Sequence, residues 1–149
     1  MNAHGIEQPD ELILLSPWVD VTMSNPDIPN FVGIDPMLTV TMWRTSGEAW
    51  VGGLPMDDWH VSPINGDLSD LRNITIFVGT RELFYPDDTL LASKLQTNPN
   101  VTLVIGKARI MSIRPWKDES PWSRLWRSYS AEVRLVENEN TVLRLSEVR

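Results

Sequence analysis

Residues 74–88 read ITIFVGTRELFYPDD, and the reading of the fold turns on this stretch. Ile74-Thr75-Ile76-Phe77-Val78 is an apolar run without polar alternation, which is how a strand covered on both faces of a parallel sheet reads. The run ends on Gly79-Thr80-Arg81-Glu82. A strand feeding a helix needs only a short polar turn with an Asp, Ser or Thr cap. Asp87 or Asp88, ahead of Thr89-Leu90-Leu91-Ala92-Ser93-Lys94-Leu95, already supplies one. Glu82 is surplus to that turn. In open parallel sheets, ligands and catalytic groups gather beyond the carboxyl ends of the strands, and Glu82 stands four residues past Val78. By position alone a solvated turn acid is the commoner role for such a residue, because perturbed or well-placed acids are often only structural.

Two further runs read as strands of the same kind: Leu12-Ile13-Leu14-Leu15 and Val101-Thr102-Leu103-Val104-Ile105. A helix near residues 88–96, stopped by Thr97-Asn98-Pro99-Asn100, separates the second strand from the third and gives a strand-helix-strand unit. The 58 residues from 16 to 73 are far more than one crossover needs. They contain an expected helix from Pro36 to about Trp50 and then a Gly/Pro/Asp-rich stretch, and an insertion of this length usually shapes a site. The fold class expected is α/β, with three core parallel strands and crossover helices.

Composition narrows the function classes. A chain of 149 residues with 42% hydrophobic content buries one core. No apolar run reaches the roughly 18–20 residues of a membrane span, and MNAHGIEQPDE lacks the layout of a signal peptide, so a soluble cytoplasmic protein is expected. Cysteine is absent, which excludes disulfides and thiolate metal sites. A net charge of -7 argues against a nucleic-acid surface. Asp57, Asp58 and His60 hint at a metal, but without a second histidine nearby an Asp-rich turn is the better reading. No metal or cofactor is expected. The charge is uneven: residues 1–106 have a balance of -10, whereas residues 107–149 have +3 and hold three of the seven tryptophans. The chain changes character near Gly106.

The segments LLSPWVDVTMSNP (14–26), DPML (35–38), VSPINGDLSDL (61–71) and ITIFVGTRELFYPDD (74–88) resemble, in order and spacing, the C-terminal half of α/β-hydrolases of the fold-3, hormone-sensitive-lipase-like esterase branch. The resemblance covers about residues 7–106. It implies a carboxylic ester hydrolase acting on a small acyl ester, with a cap or pocket insertion at about 17–73. In that family the strand matching 74–78 ends in Gly-x-x-Asp or Gly-x-x-Glu, whose carboxylate is the acid of a Ser-His-Asp/Glu triad. Gly79 plus three is Glu82. Asp87 is the rival acid, although the resemblance assigns it to the cap of the following helix. Asp20 reads as a tie for the loop after the first strand. Met37, Leu38, Met42, Trp43 and Trp50 would by resemblance line an acyl pocket, against the plainer reading of an amphipathic helix packed on the core.

The departures are equally specific. No serine sits in Gly-x-Ser-x-Gly, and no glycine-rich oxyanion loop is present. The two histidines are His4 and His60, and neither follows Ile105, where the family carries its own. An inactive fragment of a serine esterase is therefore expected. A non-catalytic α/β binding module is the alternative. Where the family has a segment close to Gly-x-Gly-x-x-His-Val-Tyr-Pro, this chain has Gly106-Lys107-Ala108-Arg109-Ile110-Met111-Ser112-Ile113-Arg114-Pro115. Codons for that peptide, read one base earlier, permit Gly-Lys-Asn-His-Val-Tyr-Pro. Residues 107–149 thus read as an atypical tail, translated out of frame from about Ala108 and expected to pack poorly on the sheet. The other reading of the tail is a hairpin of Ala131–Leu135 with Leu143–Leu145.

Overall fold

The computed structural model describes residues 7–107 and the backbone of 140–144. Three parallel strands form its centre: β1 (Leu12–Leu15), β2 (Ile74–Gly79) and β3 (Val101–Gly106), in the spatial order β1-β2-β3. Leu12 is in register with Ile74, and Ile74 with Val101, so the carboxyl ends of all three strands open on the same side. The strands fall where the apolar runs predicted, because each run lacks the polar alternation that a solvent-facing sheet would require. Burial is not equal among them. Every residue of β2 is buried, whereas β1 is only half-buried and Leu15 is 42% exposed. The expectation of cover on both faces thus holds for β2 and not for β1, which is an edge of the described sheet.

Two helices differ in extent from the sequence reading. The first, α1 (Val40–Trp50), starts four residues later than expected. Asp35-Pro36 makes its own turn, with the Asp35 carboxylate accepting the N–H groups of Met37 and Leu38 at 2.9 Å each. Thr39 then caps the helix proper by accepting the Met42 N–H at 3.3 Å. The second, α2 (Tyr85–Lys94), starts earlier than expected. Pro86 lies in its first turn, where a missing N–H and a fixed φ cost nothing. Consequently Asp87 and Asp88 lie inside the first turn, and Phe84 occupies the cap position with no side-chain hydrogen bond. The expected capping role of Asp87 or Asp88 is thereby corrected.

The core has two parts. Ile74, Ile76 and Val78 of β2 pack with Val101 and Leu103 of β3, with Leu91, Ala92 and Leu95 of α2, and with Val19 and Ile64 from the insertion. Full burial of an aliphatic side chain of this size is worth about 1.5–3 kcal/mol, so this sandwich holds α2 against the sheet. A second cluster of Met23, Ile28, Leu83 and Phe84 joins the insertion to the turn after β2, with Trp18, Leu38 and Trp43 packed against it.

A fourth strand, β4 (Asn140–Arg144), pairs antiparallel with β3 from Thr102↔Arg144 to Gly106↔Asn140. This part of the tail joins the sheet by a regular ladder instead of standing off from it. Leu143 pairs with Leu103 of β3. Ala131–Leu135 of the alternative hairpin, and the segment from Ala108 to which the shifted frame is assigned, lie outside the described residues.

Candidate active site

The turn after β2 is built to face inward. The Glu82 N–H donates to the Gly79 carbonyl at 3.2 Å, and the Glu82 carbonyl accepts the Tyr85 N–H at 3.1 Å. Two successive turns therefore meet at Glu82 and carry the chain directly into α2. Glu82 and Leu83 are both fully buried. A glutamate so placed is not the solvated turn acid that position alone favoured. It lies beyond the carboxyl end of the central strand, where a carboxylate can receive an N–H donor from a neighbouring loop. The turn is fixed at the next residue as well, because the Leu83 N–H donates to the Asp35 carboxylate at 2.9 Å.

Two more acids sit in the first turn of α2. Asp87 is 1% exposed; its Oδ1 accepts the Asn25 side-chain N–H at 2.9 Å. Burial raises its carboxyl to about 6, the Asn25 hydrogen bond opposes that rise, and the Asp20 charge adds to it. Asp88 is fully buried, and among the described residues neither of its oxygens has a hydrogen-bond partner. Its carboxyl is raised well above the usual range, first by burial and then by the charges of Glu82 and Asp87. Like charges gathered in dry surroundings favour the neutral form of such an acid.

The loop after β1 is held by an independent network. The Ser62 hydroxyl, fully buried, accepts the Val21 N–H at 2.9 Å and donates to the Met56 carbonyl at 2.6 Å. Asp20 accepts the Thr22 N–H at 2.9 Å and the Thr22 hydroxyl at 2.6 Å, which is the loop-tying role its position suggested. A groove of about 550 Å³ opens between this loop and α2, lined by Asp20, Asn25, Asp27, Asp87 and Lys94 among others. Glu82 is not among its lining residues.

The five apolar residues of the insertion separate into two groups. Trp43 packs edge-on to Trp18 at 4.5 Å and to Phe84 at 5.0 Å, and Leu38 joins the same cluster beside Leu83. Met37, Met42 and Trp50 are 51%, 45% and 71% exposed and stand apart from that cluster. Among the described residues the indole N–H groups of Trp18 and Trp43 have no acceptor. His60 belongs to an exposed turn, bonded to Asp58 at 2.7 Å and stacked on Trp59. The His60 backbone N–H, followed by its ring, holds the Asp58 carboxyl below its usual value. Among the described residues no three His, Asp or Glu side chains converge to hold a metal ion. No described helix is long and apolar enough to cross a membrane.

A parallel sheet with a buried acid just beyond its central strand has clear relatives. Residues 1–109 match the family model described as alpha/beta hydrolase fold. The chain belongs to this family. Among solved structures, the hormone-sensitive-lipase homologue EstE7 from a metagenome library is 30% identical, with a TM-score of 0.69 over 74% of this chain and 38% of that one. A hormone-sensitive lipase from a metagenome library is 29% identical, with a TM-score of 0.69 over 74% of this chain and 37% of that one. EstE5, at 25% identity and a TM-score of 0.68, covers the same 74% of this chain and 38% of its own. The chain thus spans a little over a third of the length of these esterases. No curated protein sequence matches. The α/β-hydrolase fold read from the sequence is the observed one, and the chain shares its architecture with esterases and lipases of the hormone-sensitive-lipase type.

Sequence reasoning missed Asp35, Ser62 and Asp88. The Asp-Pro pair at 35–36 signals a local turn, but nothing local announces a bond to a residue 48 positions away. Asp88 looks like any acid in the first turn of a helix, where the dipole favours negative charge, and only the packing shows it to be buried.

Proposed function

We propose that this chain carries the acid-bearing part of a carboxylic ester hydrolase, with Glu82 as the acid of a Ser-His-Glu triad. The supporting observation is the complete burial of Glu82 in the turn beyond the central parallel strand. In that role the carboxylate accepts the imidazole N–H, selects its tautomer, and stabilises the imidazolium formed when the histidine takes the serine proton. Asp87 does different work, since its carboxylate bonds Asn25 and lines the outer groove. Asp88, whose carboxyl is raised by burial and by the Glu82 charge, lies beside that acid and does not line the groove. Leu38 and Trp43, with Trp18 and Phe84, form an apolar cluster joined to the turn that carries Glu82 and would contact the acyl group. Met37, Met42 and Trp50 would cover the pocket only through further chain packed against the insertion. The substrate is a small acyl ester, no metal or cofactor takes part, and the absence of cysteine fits work in the cytoplasm.

The sequence holds no Gly-x-Ser-x-Gly, and no histidine follows Ile105. We therefore expect the isolated polypeptide to be inactive. The shifted reading frame after Lys107 would account for the histidine: the gene would encode His-Val-Tyr-Pro one base out of phase. Nucleotides across codons 105–116 that cannot spell that string would refute this part.

The functional test is a chimera. Residues 7–106 are placed in EstE7 in exchange for its matching segment, leaving that protein's own upstream and downstream chain in place. The chimera should hydrolyse p-nitrophenyl butyrate with saturation kinetics, and the 149-residue chain alone should not exceed background. An inactive but folded chimera, or turnover by the isolated chain that is abolished by Glu82→Ala, would overturn the reading.

A further inference from the structure

Asp35 is 6% exposed, and its carboxylate divides its work between two distant pieces of chain. One oxygen, Oδ1, accepts the N–H groups of Met37 and Leu38 at 2.9 Å each; the other, Oδ2, accepts the Leu83 N–H at 2.9 Å. That last N–H belongs to the peptide unit joining Glu82 to Leu83. The carbonyl of the same unit accepts the Tyr85 N–H at 3.1 Å. A peptide unit is planar, so bonds to both of its polar ends fix the plane and with it the backbone rotation of Glu82. The Cα–Cβ direction of Glu82 follows from that rotation.

We propose that Asp35 is the positioning residue for Glu82, locking the peptide plane that aims its carboxylate and tying that plane to the 35–38 segment of the insertion. The proposal rests on the reading of Glu82 as triad acid for its meaning, though not for its geometry. Leu38, whose N–H is held by Asp35, also packs against the cluster that includes Leu83 and Phe84. The acid and that apolar cluster are thus registered to one another by a single side chain. An asparagine cannot replace it: its one acceptor oxygen serves either the 37–38 turn or Leu83, and its NH2 group faces N–H donors on the other side.

The test is NMR on the full 149-residue chain. In the wild type, a scalar coupling across the hydrogen bond should link the Leu83 amide nitrogen to the Asp35 carboxyl carbon. In Asp35→Asn the Leu83 amide should exchange with solvent about tenfold faster or more. The Glu82 side-chain carboxyl resonance should shift, while the amides of Ile76 and Val78 keep their protection. A residue that merely builds the 35–38 turn would alter Met37 and Leu38 and leave the Leu83 amide and the Glu82 carboxyl unchanged, and that result overturns the proposal. If Asp35→Asn does not fold, the wild-type coupling decides, and its absence is equally fatal. The triad reading fails separately: an active chimera that survives Glu82→Gln would sink it while leaving the Asp35–Leu83 bond intact.

Discussion

Asp87→Asn removes a titrating group from the first turn of α2 without removing its hydrogen bond, because the amide oxygen of asparagine still accepts from Asn25. In the folded chain the Asp87 carboxyl is raised to about 6, against an ordinary value of 3.8. The unfolded chain therefore releases this proton near pH 4, whereas the folded chain keeps it until about pH 6. Over that window the native state holds more protons, so the contribution of Asp87 to stability falls as pH rises. Two units at about 1.4 kcal/mol each set a ceiling of about 3 kcal/mol. The groove beside Asp87 admits water and screens the charge, reducing the expected effect to about 1–2 kcal/mol. Asp58 and Asp67, whose carboxyls are lowered, act below pH 3.8, and the raised Asp88 is present in both proteins, so the difference between their profiles reports Asp87. Thermal melts of both proteins between pH 4 and 7.5 provide the assay. The two should melt together near pH 4, and Asp87→Asn should melt higher by roughly 2–8 °C at pH 7.5. Parallel profiles across the range, or a variant less stable at neutral pH, would refute the argument.

Three other substitutions test the packing. Asp88→Asn should raise stability at neutral pH and weaken the loss of stability as pH rises above 3.8, because burial raises the carboxyl it replaces in the folded state; a lower melting temperature at pH 7.5 would contradict this. Gly47→Ala should destabilise by about 1–3 kcal/mol in urea melts despite alanine's better helix propensity, since its Cβ would stand 2.8 Å from the Val21 carbonyl oxygen. Ser62→Ala should cost about 1–3 kcal/mol by leaving the buried Val21 N–H and Met56 carbonyl without their partner.

The strands were legible because their signal is local and unambiguous: Ile74–Val78 tolerates no other reading between its polar boundaries. Glu82 stood out in the sequence only through the resemblance, since Gly79-x-x-Glu82 matches the family's Gly-x-x-Asp/Glu, whereas position alone favoured a solvated turn acid. The helix starts were less so, because Asp35-Pro36 and Pro86-Asp87-Asp88 each offer a turn and a cap in the same few residues, and tertiary contacts choose between them. Asp35 and Leu83 make their bond across 48 positions, which no periodicity records. The half-burial of β1 was also hidden, since apolar composition reports what a strand tolerates and not which neighbours cover it.

The most direct measurement is the rate of the chimera with Glu82→Gln set beside its rate with Asp87→Asn. Glutamine keeps the shape of Glu82 but cannot stabilise the imidazolium, so kcat for p-nitrophenyl butyrate should fall by about 1,000- to 10,000-fold with little change in KM. Asp87→Asn should stay within about threefold of the parent chimera. A large loss at Asp87 with Glu82→Gln near parental activity would move the acid to the first turn of α2 and contradict the assignment of Glu82.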